Sequence, residues 1–213
     1  MKTEFLDKLL AVGSDPISSG IVKLSDDMNT ALGKHAGDLV KLLASKNGFY
    51  AFEAALHVFP SESKGNEIGL EDWNSKEGWV KDFEGMASNL FFFAEDIFGS
   101  QFCISGNGIS VFDPETGNCE LLCQNIESWA EIILEDFRVL TGFPLAHSWQ
   151  RMHGKIRPGT RLIPKVPFVA GGEFAVENLF AIDSVAGMKQ RANLAKQIRL
   201  LPDGAKIQFK IVD

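Results

Sequence analysis

Cysteine is scarce in this sequence, with Cys103, Cys119 and Cys123 the only three among 213 residues. So low and odd a number cannot build the disulfide framework of a small secreted domain, which predicts free thiols in a reducing compartment, the cytoplasm. Long apolar runs are lacking too. The densest, Leu90 to Ala94, stops at Glu95 and Asp96, far short of the roughly 20 residues that cross a bilayer, so no membrane partner is expected. The opening stretch from Met1 to Leu10 mixes acids and bases and has no export-signal core.

Catalytic and cofactor motifs are equally sparse. There is no G-x-S-x-G elbow, and Gly171-Gly172 is not followed by the Lys-Ser/Thr of a phosphate loop. Cys119-x-x-x-Cys123 has neither a second cysteine pair nor a nearby histidine, and His147 and His153 are not at i, i+4 spacing. Zinc is therefore not expected, and no cofactor is assigned. On a strand, even spacing would turn Cys119 and Cys123 to one face as small buried thiols. Glu95 and Asp96 follow an aromatic strand, where a solvated strand end is the simplest reading. With Asp113 they could instead form the metal site of a hydrolase.

What is present describes a packed interior. Hydrophobic residues make up 45% of the chain, 17 of them Phe, enough for one sizeable core in a single domain over residues 1–213. The net charge of −7 is unevenly spread. Residues 1–150 hold 10 Lys+Arg against 23 Asp+Glu, whereas residues 151–213 hold 11 against 5. The basic tail includes Arg151, Lys155, Arg157, Arg161 and Lys165. Whole-chain acidity still argues against a nucleic-acid partner. The segment 62–96 alone sets nine acids against Lys64, Lys76 and Lys81.

Apolar spacing over 35–46, ended by Asn47-Gly48, predicts an amphipathic helix, followed by a buried apolar stretch from Phe49 to Phe59. Residues 61–89 read as short helix plus loop. From Asn89 to Cys123, period-two alternation and the turns at Gly106-Asn107 and Pro114 to Asn118 predict an antiparallel meander. Ser128-Trp129-Ala130-Glu131 has the form of a capping box and predicts a helix over 128–140. Arg157 to Pro167 should be an edge strand or extended loop, because Pro164 and Pro167 cannot occupy an interior strand. A strand over 174–182, a helix over 186–200 and a final strand through Ile207, Phe209 and Ile211 complete the reading. The fold class is α+β, a central antiparallel sheet flanked by helices.

Three stretches in this order carry a resemblance: Asn47 to Phe52 with Leu56 to Pro60, then Phe92 to Phe102, then Phe112 to Gly117. They resemble the SUKH superfamily over roughly residues 35–140. The hallmark is an acidic-Gly turn between aromatic strands, followed by a strand, a Thr-Gly turn and a helix, here with Trp129 near its start. The resemblance implies an α+β fold, no catalytic residues and recognition of a protein partner, as in bacterial immunity proteins that neutralise a toxin, including nucleases or deaminases. A housekeeping scaffold or adaptor of the same fold is the alternative. An acidic surface would match a basic toxin cleft. The expected contact residues are Glu67, Glu71, Asp72, Glu77, Asp82 and Glu84, with Trp73 and Trp79 as aromatic anchors.

Overall fold

The meander lies at the centre of the protein, whose computed structural model describes residues 4–202. Six strands run antiparallel in chain order: β1 (Phe49–Ala51), β2 (Leu56–Val58), β3 (Phe91–Glu95), β4 (Gln101–Ser105), β5 (Gly108–Phe112) and β6 (Cys119–Cys123). The β4–β5 hairpin is tight. A Cβ on Gly108, at φ +146, would stand 2.3 Å from the Cys123 carbonyl oxygen, so glycine is required there. The β1–β2 turn is unusual in a different way. Phe52, Glu53 and Ala54 are all at positive φ, a conformation that L-residues resist. The Phe52 ring stacks on Phe137 at 4.5 Å and the Glu53 carbonyl accepts Gln150 Nε2 at 2.8 Å, contacts that hold the turn in place.

Alternation along the strands sorts the rings into two layers. Phe92 and Phe112 face Trp79 and Phe83 of a 3-10 turn (Trp79–Phe83), while Phe93 and Phe102 face Trp129. Trp129 lies on α5 (Ile126–Leu140). The N-terminal helices α1 (Glu4–Val12), α2 (Asp26–Leu32) and α3 (Ala36–Ser45) add Leu9, Leu32, Leu39 and Leu42 to the same core. Glu127 ties α1 to α5 by accepting the Phe5 and Leu6 amides, at 2.7 and 3.3 Å. These are first-turn amides that have no partner within their own helix. A short α4 (Leu70–Trp73) and the long α7 (Ser184–Arg199) bring Trp73, Met188, Ala192 and Ala195 into the core.

A second, two-stranded antiparallel sheet pairs β7 (Thr160–Pro164) with β8 (Leu179–Asp183). Pro164 closes the β7 end opposite Leu179, at a strand end, which agrees with the edge assignment. The Leu162 amide donates to the Ile97 carbonyl at 2.9 Å. A smaller apolar cluster of Ile97, Trp149, Leu162, Val176 and Leu179 fills this junction. It includes α6 (Phe143–His153), a helix absent from the sequence reading.

Several expectations need correction. The cap of α5 is Asn125, whose Oδ1 accepts the Ser128 amide at 3.0 Å, so the helix starts two residues before the expected capping box. β8 begins at Leu179 because Val176–Asn178 form a 3-10 turn. Cys119 and Cys123 do not share a buried face: Cys119 is exposed and Cys123 buried. The register shift between Ile109 and Ser110 breaks the alternation opposite them. The strand expected through Ile207 to Ile211 lies outside the described residues.

Candidate functional site

Beneath the loop that joins β2 to β3 lies a buried charged network. His57, in the middle of β2, is 2% exposed, and Glu95, at the end of β3, 1%. The pairing of β2 with β3 places them opposite each other. His57 Nδ1 stands 3.1 Å from Glu95 Oε1, and the same oxygen accepts Arg161 Nε from β7 at 2.7 Å. Gln101 Nε2 donates to Glu95 Oε2 at 3.0 Å, while Gln101 Oε1 accepts the indole N–H of Trp73 at 2.9 Å. Tyr50 stacks on His57 at 4.4 Å and its hydroxyl donates to Glu67, 3.0 Å away.

Each group is set by its surroundings. Burial pushes the Glu95 carboxyl up, but Arg161, His57 and Gln101 together outweigh it and hold it below the usual carboxylate range. Burial also holds the His57 ring below the ordinary histidine range, which favours a neutral ring donating through Nδ1 to Glu95. Glu95 is thus no solvated strand end. Its two oxygens are taken up by three partners, so this network ties β7 to the main sheet.

Asp96 is buried as well, at 7% exposed. Its Oδ1 accepts the Phe98 and Ser100 amides, both at 2.8 Å, and Arg191 of α7 approaches the same turn by donating to the Phe98 carbonyl. Burial is the largest influence and pushes the Asp96 carboxyl up to about 7, against its hydrogen bonds and Arg191. Asp113 is engaged elsewhere, accepting the Glu115 amide at 2.8 Å and the Thr116 hydroxyl at 2.7 Å. The three carboxylates considered for a hydrolase are therefore each committed to a separate partner set.

A carboxyl raised on folding binds its proton more tightly in the native chain, so it lowers stability as pH rises from about 4 to about 7. Asp96→Asn removes that titration and keeps an oxygen for the two amides. In urea melts its stability relative to wild type is expected to improve steadily across that window. A constant gap would show that the Asp96 pKa is not displaced.

The surface above the network is acidic. Ser61, Glu62, Ser63, Gly69, Glu71 and Asp72 line a notch of about 130 Å3. The loop is stitched from within: the Leu70 amide donates to the Pro60 carbonyl at 2.9 Å, and Lys64 and Glu67 exchange backbone hydrogen bonds at 2.9 and 3.0 Å. Ser63 donates to Asp72 Oδ2, and Ser18 donates to Glu62 Oε1 at 2.8 Å. A Cβ on Gly69 would fall 2.3 Å from the Glu62 carbonyl carbon, so only glycine allows the loop to close this tightly.

Of the expected contact residues, Glu71, Asp72, Glu77 and Glu84 are exposed and Asp82 half-buried. Three others are corrected. Glu67 is 8% exposed and turned inward to Tyr50 and His57. Trp73 and Trp79, each 1% exposed, are packed against Phe59, Phe83 and Phe92 in the core and cannot anchor a partner. With Glu67, Glu95 and Asp96 internal, the 62–96 segment presents six acids against three lysines at its surface. Glu77 is further paired with Lys81 at 3.7 Å and Glu84 with Lys196 at 3.4 Å. The acidic character is thereby concentrated at Glu62, Glu71 and Asp72. Sequence reading missed Tyr50, His57, Gln101 and Arg161, although a histidine inside the apolar run Leu56 to Phe59 is a signal of a buried polar partner.

No protein-family model matches this chain, and no curated protein matches it. The crystal structure of Atu4351 from Agrobacterium tumefaciens is similar, with a TM-score of 0.50 at 12% identity over 86% of each chain. That likeness concerns the fold, an α+β architecture shared across most of both proteins. Among the described residues, no helix is long and apolar enough to cross a membrane.

Proposed function

We propose that this chain is a non-catalytic binding module, a cytoplasmic immunity protein that neutralises a cognate toxin by direct contact. The reading rests on the acidic notch at Ser61 to Asp72, and it agrees with the resemblance to the SUKH superfamily. Its carboxylates project from a loop fixed by backbone hydrogen bonds and by the network beneath, so little order has to be gained on binding. An anionic patch of this kind steers a protein with a basic cleft and selects against acidic partners. Glu71 and Asp72 are the central contacts, with Glu62 beside them and Glu77, Asp82 and Glu84 on the flank.

The test begins with the tagged full chain as bait and with a growth assay against the product of any toxin gene beside its own. Rescue by the wild-type chain is expected, together with a stable complex. Replacing Glu71, Asp72 and Glu77 by Gln, Asn and Gln should slow association about 10-fold at low salt, a gap that closes as ionic strength rises. An unchanged rate and salt dependence would remove the notch from the interface. A stable complex with a housekeeping protein, without rescue, would favour the adaptor alternative.

A further inference from the structure

Among the described residues β6 is an edge strand of the main sheet, and its first residue, Cys119, is exposed. The Cys119 sulfur stands 3.7 Å from that of Cys103, which is fully buried on β4. Between them β5 supplies Ser110, whose side chain adds to the lowering of the Cys119 pKa and whose carbonyl lies 3.6 Å from the Cys103 sulfur. The register explains the meeting. Cys103 pairs with Ser110 and Ser110 with Leu121, two residues from Cys119, so all four side chains share one face.

We propose that Cys119 is a thiol modification site that exchanges with small disulfides, with Cys103 as the residue that positions and stabilises its thiolate. The Cys119 thiolate attacks one sulfur of R–S–S–R. A Cys119–S–S–R bond forms as the original S–S bond breaks, and the displaced RS⁻ leaves with the electron pair and takes a proton from water. The hydrogen bond from Cys103 is the largest influence on Cys119 and, with Ser110, lowers its pKa to about 7 against the effect of burial. The other two thiols move the opposite way. Cys103 is pushed up by that shared hydrogen bond and by burial, and Cys123 by burial. One nucleophile is thus set apart from two unreactive thiols.

Cys103 does not complete the exchange. A whole strand, β5, lies between the two cysteines, and two strand spacings put their backbones roughly 9–10 Å apart. A disulfide closes at Cα separations of about 4.4–6.8 Å. The mixed disulfide therefore persists at the sheet edge.

Oxidised glutathione added to the full-length protein, followed by mass spectrometry, tests this. The expected product is one adduct per chain, on Cys119. Its formation should be half-maximal near pH 7 and roughly threefold faster at that pH than for an unstructured peptide thiol, the gain in thiolate exceeding the loss in nucleophilicity. Cys119→Ser should abolish the adduct. Cys103→Ala should move the midpoint up toward the ordinary thiol range, whereas Cys103→Ser keeps a donor and the low midpoint. An adduct on Cys123, an internal Cys103–Cys119 disulfide, or one midpoint shared by all the Cys103 variants would overturn the proposal. Should Cys103→Ala fail to fold, a wild-type midpoint at about 8.5 or higher overturns it equally.

Discussion

Arg161→Ala is expected to cost about 3–5 kcal/mol of folding stability, because it leaves the Glu95 carboxylate buried without its main counter-charge. Arg161 and Glu95 are 1% exposed each, so water cannot replace the lost 2.7 Å hydrogen bond. The loss should also be felt at a distance, since Arg161 is the charged tie between β7 and the main sheet. Its pH dependence carries the sharper information. In the wild type Glu95 is held below the usual range, so its contribution is present above the unfolded carboxylate pKa of about 4.3 and is lost as pH falls through the lower folded value. Without Arg161 the effect of burial dominates, the folded carboxyl takes up its proton before the unfolded one does, and the variant should regain stability as pH falls toward about 4. Urea denaturation of both proteins between pH 4 and 7 measures this. The gap between them should narrow with acidification; a gap that widens would place the charge balance elsewhere. Replacing both partners, Glu95→Gln with Arg161→Met, should cost less than Arg161→Ala alone, because no bare charge remains.

This pair also shows where sequence stops informing structure. The meander was legible because alternation and turn residues act over a few positions, so Phe102 and Ile104 or Ile109 and Val111 announce their faces locally. Glu95 and Asp96 looked like a solvated strand end because two adjacent carboxylates close the apolar run Leu90 to Ala94 with no counter-charge near them in the chain; the partner that internalises Glu95 lies 66 residues away. The turn at Phe52 to Ala54 has no glycine or asparagine to mark it, and its conformation is set by Phe137 and Gln150, supplied later in the chain. α6 was hidden for a related reason. Gly142 and Pro144 belong to residue types that ordinarily interrupt helices, yet the glycine is the cap and the proline falls in the first helical turn, where its missing amide costs nothing. At the acidic notch the charges were visible in sequence, but not which of them face outward. That depends on Tyr50 and His57 drawing Glu67 inward and on Lys81 and Lys196 engaging Glu77 and Glu84.

Trp79→Ala should destabilise the protein by about 3–5 kcal/mol while leaving the charge of the notch untouched. The ring is in contact with Trp73, Phe83 and Phe92, at centroid separations of 5.3, 5.6 and 4.9 Å, and its removal opens a cavity between the sheet and the helices that cover it. An aromatic anchor at an interface would behave in the opposite manner, losing affinity with little change in stability. Phenylalanine substitutions separate volume from polarity. Trp79 Nε1 is buried without a hydrogen-bond partner, so Trp79→Phe removes an unsatisfied donor together with part of the ring, and the two effects oppose each other. Trp73 Nε1 donates to Gln101 Oε1, so Trp73→Phe leaves that oxygen unpaired in the interior and should cost about 1–3 kcal/mol more than Trp79→Phe. Gln101 also donates to Glu95, which carries the damage from Trp73 into the Arg161 network. Combining Trp73→Phe with Arg161→Ala should therefore be non-additive in urea melts, whereas Trp79→Phe with Arg161→Ala should be closer to the sum of its parts. Equal additivity in both pairs would mean that Gln101 does not couple the indole to the ion pair.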